Sequence, residues 1–480
     1  MDITSTPSQR PYRRLLIVLL ALVLTAAACS SDAGEDFAAE AVSDASDSVD
    51  VATEGAASGD AADGGDASSS FSDGDAADEA MEDEAAMEEE AMEDEEAMSD
   101  DDAGEVADSV EDEPVIEAEP ERTPSAGLLT AGDIDDNLNF AFFNSILNDW
   151  QQEASFPSVN LNGRIVVDIV GDNGVGVGNL PLEISDGDTT QTVVTNSAGR
   201  VHVFPNWLGL SVTDGLSIQS GNDSWELTAN DAEAGVAQFT AAGGDTTPPS
   251  ALDVALVLDV TGSMADELAF LTAEFEAIVA RLDDDYSNVD KRYALIVYRD
   301  VGDDFVTRVF DFTDTVGELQ DSLAAQRADG GGDFPEAMDA ALADATELSW
   351  SEGSDVARVL VLNADAPPQP QDAERTLDLA AELAQDGVRI YPLAASGVDR
   401  GAEFLMRTMG VTTGGRHLFL TADSGIGGDR LEPRAQCYDV TGLDDLLYRV
   451  LASELAGERI EADASQVIRT VGQVSNGVCA

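Results

Sequence analysis

Asp259, Thr261 and Ser263 stand at alternate positions directly after an apolar run, residues 254–258, within the stretch ALDVALVLDVTGS. A buried strand that runs out into one carboxylate and two hydroxyls offers hard oxygen donors at the edge of a sheet. Two further oxygen-bearing clusters follow in order, GGGDFPE at 330–336 and NADAPP at 363–368, which bring in Asp333 and Asp365. No His or Cys stands in any of the three. Carboxylate and hydroxyl oxygens select a hard divalent cation, Mg²⁺ first, with Mn²⁺ and Ca²⁺ as alternatives. A plainer use of the same residues is helix capping: Thr261 or Ser263 before a helix at 265, and Asp333 before one at 335. The position of the first cluster after an apolar strand, with two partner clusters behind it, favours a cation site. Asp300, Asp303 and Asp304 read as a solvated turn rather than a second cation loop. His202 and His417 lie within β-prone runs with no nucleophile nearby and read as structural.

The elements that must position these clusters alternate. Strands are expected at 251–259, 293–298, 307–312, 357–363, 388–394 and 417–420, the last as a short edge strand. Helices are expected at 265–282, 316–326, 335–348, 371–385, 403–409 and 443–455, from apolar residues at helical spacing. Alternation of this kind implies an α/β, doubly wound, largely parallel sheet, and ligands of such sheets bind beyond the carboxyl ends of the strands. Residues 242–250 (AGGDTTPPS) form a linker. Before it, residues 161–241 hold short β-prone runs split by Gly, Asn and Asp turns, the pattern of a small β-sandwich. A helix is expected over 133–152, from Leu138, Phe140, Phe142, Phe143, Ile146, Leu147 and Trp150 at helical spacing, packed on the next domain.

The remaining sequence sets the context. A formal net charge of −73 argues against direct binding of DNA, RNA or anionic lipid headgroups. Arg10, Arg13 and Arg14 precede an apolar core at 15–24 that is too short for an ordinary membrane span, and small residues then lead to Cys29. Residues 30–125 are rich in Asp, Glu, Ala, Ser and Gly and cannot bury enough surface to fold; they read as a disordered acidic stalk, with a Met-acidic repeat at 81–98. In an exported chain, Cys437 and Cys479 can form one disulfide that staples the C-terminal tail to the last domain. The chain thus reads as multidomain: signal segment 1–29, stalk 30–125, short helix and β-sandwich 130–245, α/β domain 251–460 and tail 461–480.

Three resemblances add to this. The first 29 residues resemble a bacterial lipoprotein signal, which implies lipid attachment at Cys29 and a folded part held outside the cytoplasm at the membrane or envelope. The order VDIVGDNGVGVGNLPLEI…VVTNSAGRVHVFP resembles transthyretin-like, carboxypeptidase-regulatory-like domains. Residues 251–456 resemble a von Willebrand factor type A domain, with DVTGSM matching the signature of its metal-ion-dependent adhesion site. That resemblance implies that Thr261 and Ser263 ligate the ion through their hydroxyls and that Asp259 and Asp365 hold its waters. Asp333 stands where the family usually offers a Thr. It also implies a non-enzymatic adhesion or scaffold module whose protein partner supplies an acidic residue to the ion. A hydrolase is disfavoured because neither GxSxG nor HExxH occurs; a purely structural envelope protein is the other alternative.

Overall fold

The structure is a computed structural model and describes residues 127–151, 157–243, 248–332, 334–428 and 430–480. The signal segment with Cys29, the stalk at 30–125 and Asp333 lie outside the described residues. Among the described residues no helix is long and apolar enough to cross a membrane.

The first strand is β1 (Thr130–Ile134), followed by helix α1 (Phe140–Trp150). A smaller β-unit then contains β2 (Ile165–Val170), β3 (Pro181–Ser185), β4 (Thr190–Val194), β5 (Arg200–Val203), β6 (Leu216–Ser220), β7 (Asp223–Leu227) and β8 (Val236–Thr240). These strands form two sheets, ordered β5-β2-β8 and β4-β3-β6-β7. Ile165, Val167 and Ile169 alternate inward along β2 and share one core with Leu182, Ile184 and Ile218 of the other sheet.

The larger unit comprises β9 (Ala251–Asp259), α2 (Ala265–Asp285), β10 (Asp290–Tyr298), β11 (Thr307–Thr313), α3 (Val316–Ala324), α4 (Met338–Thr346), β12 (Val356–Ala364), α5 (Ala373–Gln385), β13 (Val388–Ala394), α6 (Arg400–Thr413), β14 (His417–Leu420), β15 (Tyr438–Gly442), α7 (Leu443–Ala456) and β16 (Arg469–Val471). Its sheet has nine strands in the order β11-β10-β9-β12-β13-β14-β1-β15-β16. The five from β10 to β14 in that order run parallel. Antiparallel pairing begins at β11 on one side and at β1 on the other. The central strands are buried on both faces, so they read as apolar runs rather than as alternation. In β9, Ala255 and Val257 face a core shared with α4, α5 and α6, whereas Val254, Leu256 and Leu258 face α2 and α7. Helices on both faces make this a mixed, mostly parallel α/β sheet of the doubly wound kind.

Four differences from the sequence reading have physical causes. Residues 130–134, assigned above to the preceding unit, form the seventh strand of the large sheet; TAGDI carries little strand propensity, but β14 and β15 flank it and all five residues are buried. In consequence 417–420 is an interior strand, not an edge. The tail extends the sheet through β16, while Cys437 is disulfide-bonded to Cys479 as the sequence reading allows. The helix expected from 335 begins at Met338, because Glu336 instead donates its backbone N–H to Pro367.

Candidate metal centre

The site is built where β9 leaves the sheet. Asp259 is fully buried and pairs in register with Tyr298 of β10. Its Oδ1 accepts the Thr261 backbone N–H at 2.9 Å and the Thr261 hydroxyl at 2.6 Å. Thr261 Oγ1 lies 3.2 Å from Ser263 Oγ, so the carboxylate and both hydroxyls form one connected group. Asp259 Oδ2 is buried with no partner at hydrogen-bond geometry among the described residues, although the Tyr298 hydroxyl is close enough to favour its charge.

The second cluster approaches from the side. Gly262 donates its N–H to the Gly330 carbonyl, and Asp329 donates to Val260. Gly331 has φ +73°, and a Cβ there would stand 2.8 Å from Glu336 Oε1 and 3.3 Å from Thr261 Cβ; only glycine allows this approach. Asp303 ties the β10–β11 turn to this loop by accepting the N–H groups of Gly331 and Asp300. The turn is therefore less solvated than its sequence suggests: Asp300 is buried and Asp303 half-buried, while Asp304 is exposed. The third cluster contributes Asp365, which is buried beyond the end of β12 and approached by Gly397.

Glu336 is the residue that sequence reasoning passed over. It sits within the GGGDFPE cluster, where its Pro-Glu step reads as a helix start. In the fold it is buried, held to the third cluster by its backbone bond to Pro367, and its Oε2 has no partner among the described residues.

Three buried carboxylates therefore gather with two hydroxyls. Burial, then the charge of Asp365, pushes Asp259 up to about 7. Burial, then the charges of Asp259, Asp300 and Asp365, pushes Glu336 up to about 9. Burial also raises Asp365, against a favourable bond from Ser263. Among the described residues no Arg or Lys pairs with any of the three. The contrast is nearby Glu267, equally buried, which pairs with Arg430 at 2.7 Å. Oxygen donors, orphaned carboxylate oxygens (Asp259 Oδ2, Asp365 Oδ1, Glu336 Oε2) and an uncompensated negative charge fit a hard divalent cation. Among the described residues no three acidic, His or Cys side chains stand together as a group that could hold a metal by themselves. The group opens into a cleft of about 450 Å³ lined by Thr261, Ser263, Glu336, Asp365, Ser396 and the half-exposed Phe334.

Residues 253–407 match the family model described as von Willebrand factor A domain. The chain contains such a domain. An ariadne-like RING finger protein of Acanthamoeba polyphaga mimivirus is 27% identical over 187 residues, which cover 35% of this chain and 18% of that protein. The chain thus spans less than a fifth of that relative. Among solved structures, BatB from Bacteroides thetaiotaomicron aligns over 42% of this chain and 98% of its own at 14% identity and a TM-score of 0.30. An aerotolerance-related membrane protein from Bacteroides fragilis aligns over 43% and 98%, at 14% identity and 0.29. The pilus adhesin SpaC from Lactobacillus rhamnosus GG aligns over 34% and 28%, at 12% identity and 0.28.

Proposed function

We propose that the von Willebrand factor A domain is a divalent-cation-dependent protein-binding module that captures an acidic side chain of its partner. The observation that carries this reading is the set of three buried carboxylates without a protein cation, joined to the Thr261 and Ser263 hydroxyls at the floor of an open cleft. Asp259, Thr261, Ser263 and Asp365 are the residues that would hold the ion, with Glu336 beside them; Asp333 keeps the role set out from the sequence. A bound ion would offset their charge and leave a Lewis-acidic position for a carboxylate. The chain's own part is to fix the donors. Thr261 is locked onto Asp259, Gly331 lets the second loop close, and the Glu336–Pro367 bond draws the second and third clusters together. The described residues lining the cleft offer hydroxyls and carboxylates beside glycines and apolar side chains, which supports binding of a hard cation. The same reading keeps the folded part outside the cytoplasm, held to the membrane or envelope by lipid at Cys29.

The test is an acidic-peptide array probed with the full chain in Mg²⁺ and in EDTA. Retention that needs Mg²⁺ and is lost in Ser263→Ala supports the reading. Retention indifferent to both removes it.

A further inference from the structure

A second cleft, of about 460 Å³, lies between the smaller β-unit and the large sheet. Residues of β2, β5 and β8 wall one side, and Tyr391 of β13, Arg416 before β14 and the end of α7 wall the other. Four arginines and four carboxylates line it, and most are already engaged. Arg200 pairs with Asp168 at 2.7 Å, Arg416 with Asp133 at 3.0 Å, and Arg459 with Asp133 at 2.8 Å and Asp135 at 3.3 Å. Glu454 accepts the Tyr391 and Ser197 hydroxyls.

Arg164 stands apart, with no ion pair among the described residues. Its Nη1 donates to the Asn137 carbonyl at 2.7 Å and to the Asn137 side-chain oxygen at 3.2 Å, and its guanidinium lies over the Phe140 ring, 4.0 Å from the centroid. These contacts fix the guanidinium and leave its Nε and Nη2 edge without a partner among the described residues. That edge is within reach of a ligand: Arg164 is half-buried, and neither nitrogen belongs to the buried polar atoms that lack a partner. Such an edge grips a carboxylate with two parallel bonds, as Arg200 Nε and Nη2 grip Asp168. Burial, opposed by the charge of Asp135 and helped by that of Arg200, pulls Arg164 down to about 10, and an anion on the guanidinium would relieve both effects. The same cleft presents the Asn196 amide, the Ser197 hydroxyl and the exposed carboxylate of Glu458, groups that suit the hydroxyls of a ligand.

We propose that this cleft binds a small hydroxylated monocarboxylate of sugar-acid size, with its carboxylate on the Nε and Nη2 edge of Arg164 and its hydroxyls on the polar lining. Among the described residues of the cleft Arg164 is the cation left without an ion pair, and it matches a single negative charge. The volume lies within the range of small-ligand pockets, about 300–1,000 Å³. The cleft shares no lining residue with the metal centre and does not depend on it.

Isothermal titration of the full chain with sodium glucuronate, in EDTA and at constant ionic strength set with chloride, tests this. One saturable site is expected, with the Kd weakened at least tenfold both in Arg164→Gln and in Val236→Glu. Val236 lines the cleft at 60% exposure, in register with Val166 of β2, so a carboxylate there leaves the core intact and competes for Arg164. If Arg164→Gln does not fold, Val236→Glu decides. Glucose, which lacks the carboxylate, and propionate, which lacks the hydroxyls, should each bind at least tenfold more weakly than glucuronate. Absence of saturable binding, as expected if the cleft takes only water, overturns the proposal. So does binding unchanged in Val236→Glu, binding that glucose, propionate or inorganic phosphate matches, or binding lost in Asp259→Asn, which would place the ligand at the metal centre.

Discussion

Asp259→Asn should stabilise the metal-free protein while abolishing its response to metal. The Asp259 carboxyl moves from its ordinary 3.8 to about 7 on folding, through burial and the neighbouring Asp365 charge. Between those pH values the folded state holds a proton that the unfolded chain has released. Stability from this group is therefore lost as pH rises from about 4 to about 7. A shift of about three units corresponds to roughly 3–5 kcal/mol, at about 1.4 kcal/mol per unit. Glu336, pushed to about 9, acts with the same sign. Asparagine keeps an oxygen to accept the two Thr261 bonds but has no charge to bury. In EDTA, urea unfolding of the full chain should show the variant ahead of the wild type by about 1–2 kcal/mol at pH 5 and by roughly 3–5 kcal/mol at pH 8. Saturating Mg²⁺ should raise the wild type, through binding to the folded state, and leave the variant where it was. A variant that is less stable than the wild type at pH 8 in EDTA, or a gap that does not change with pH, would refute the reasoning.

Other perturbations test the supports of the site. Gly331→Ala forces a Cβ against Glu336 and Thr261 at positive φ; it should weaken Mg²⁺ binding and lower stability by about 1–3 kcal/mol, and unchanged titration heats would show that the loop does not shape the site. Arg407 is fully buried, with two bonds to Asp136 and one to Glu403, so Arg407→Met should cost about 3–5 kcal/mol in urea unfolding by stranding the buried Asp136, while Glu403 keeps Arg400. Reduction of the Cys437–Cys479 bond, which closes a loop with a sequence separation of 42, should cost about 4 kcal/mol on chain-entropy grounds, read as a lower unfolding midpoint in dithiothreitol.

Much of the α/β unit was legible because its signals are local. Residues 254–258 are apolar on both faces and end in Asp259, and β9, β12 and β13 are each followed by a helical stripe. The oxygen clusters were legible for the same reason, since each is a short run at a strand end. What stayed hidden depends on partners far away in sequence. Thr130–Ile134 is a strand because β14 and β15 flank it, not because of its composition. Nothing local to Arg407 points to its burial, which follows from Asp136, 271 positions earlier. Glu336 reads as a helix start until its N–H reaches Pro367, and its burial follows from that contact. The pairing of Glu267 with Arg430, which leaves the other three carboxylates as the uncompensated set, likewise spans 163 positions.

The central claim is that these side chains form a divalent-cation site, and Mg²⁺ titration of the full chain by calorimetry tests it most directly. One tight site should stand out above any weak uptake by the acidic N-terminal segment, should disappear in Asp259→Asn, and should weaken at least tenfold in Ser263→Ala. The acidic segment is identical in all three proteins, so it cancels in the comparison. Equal heats and equal affinity in the wild type and in Asp259→Asn would contradict the account.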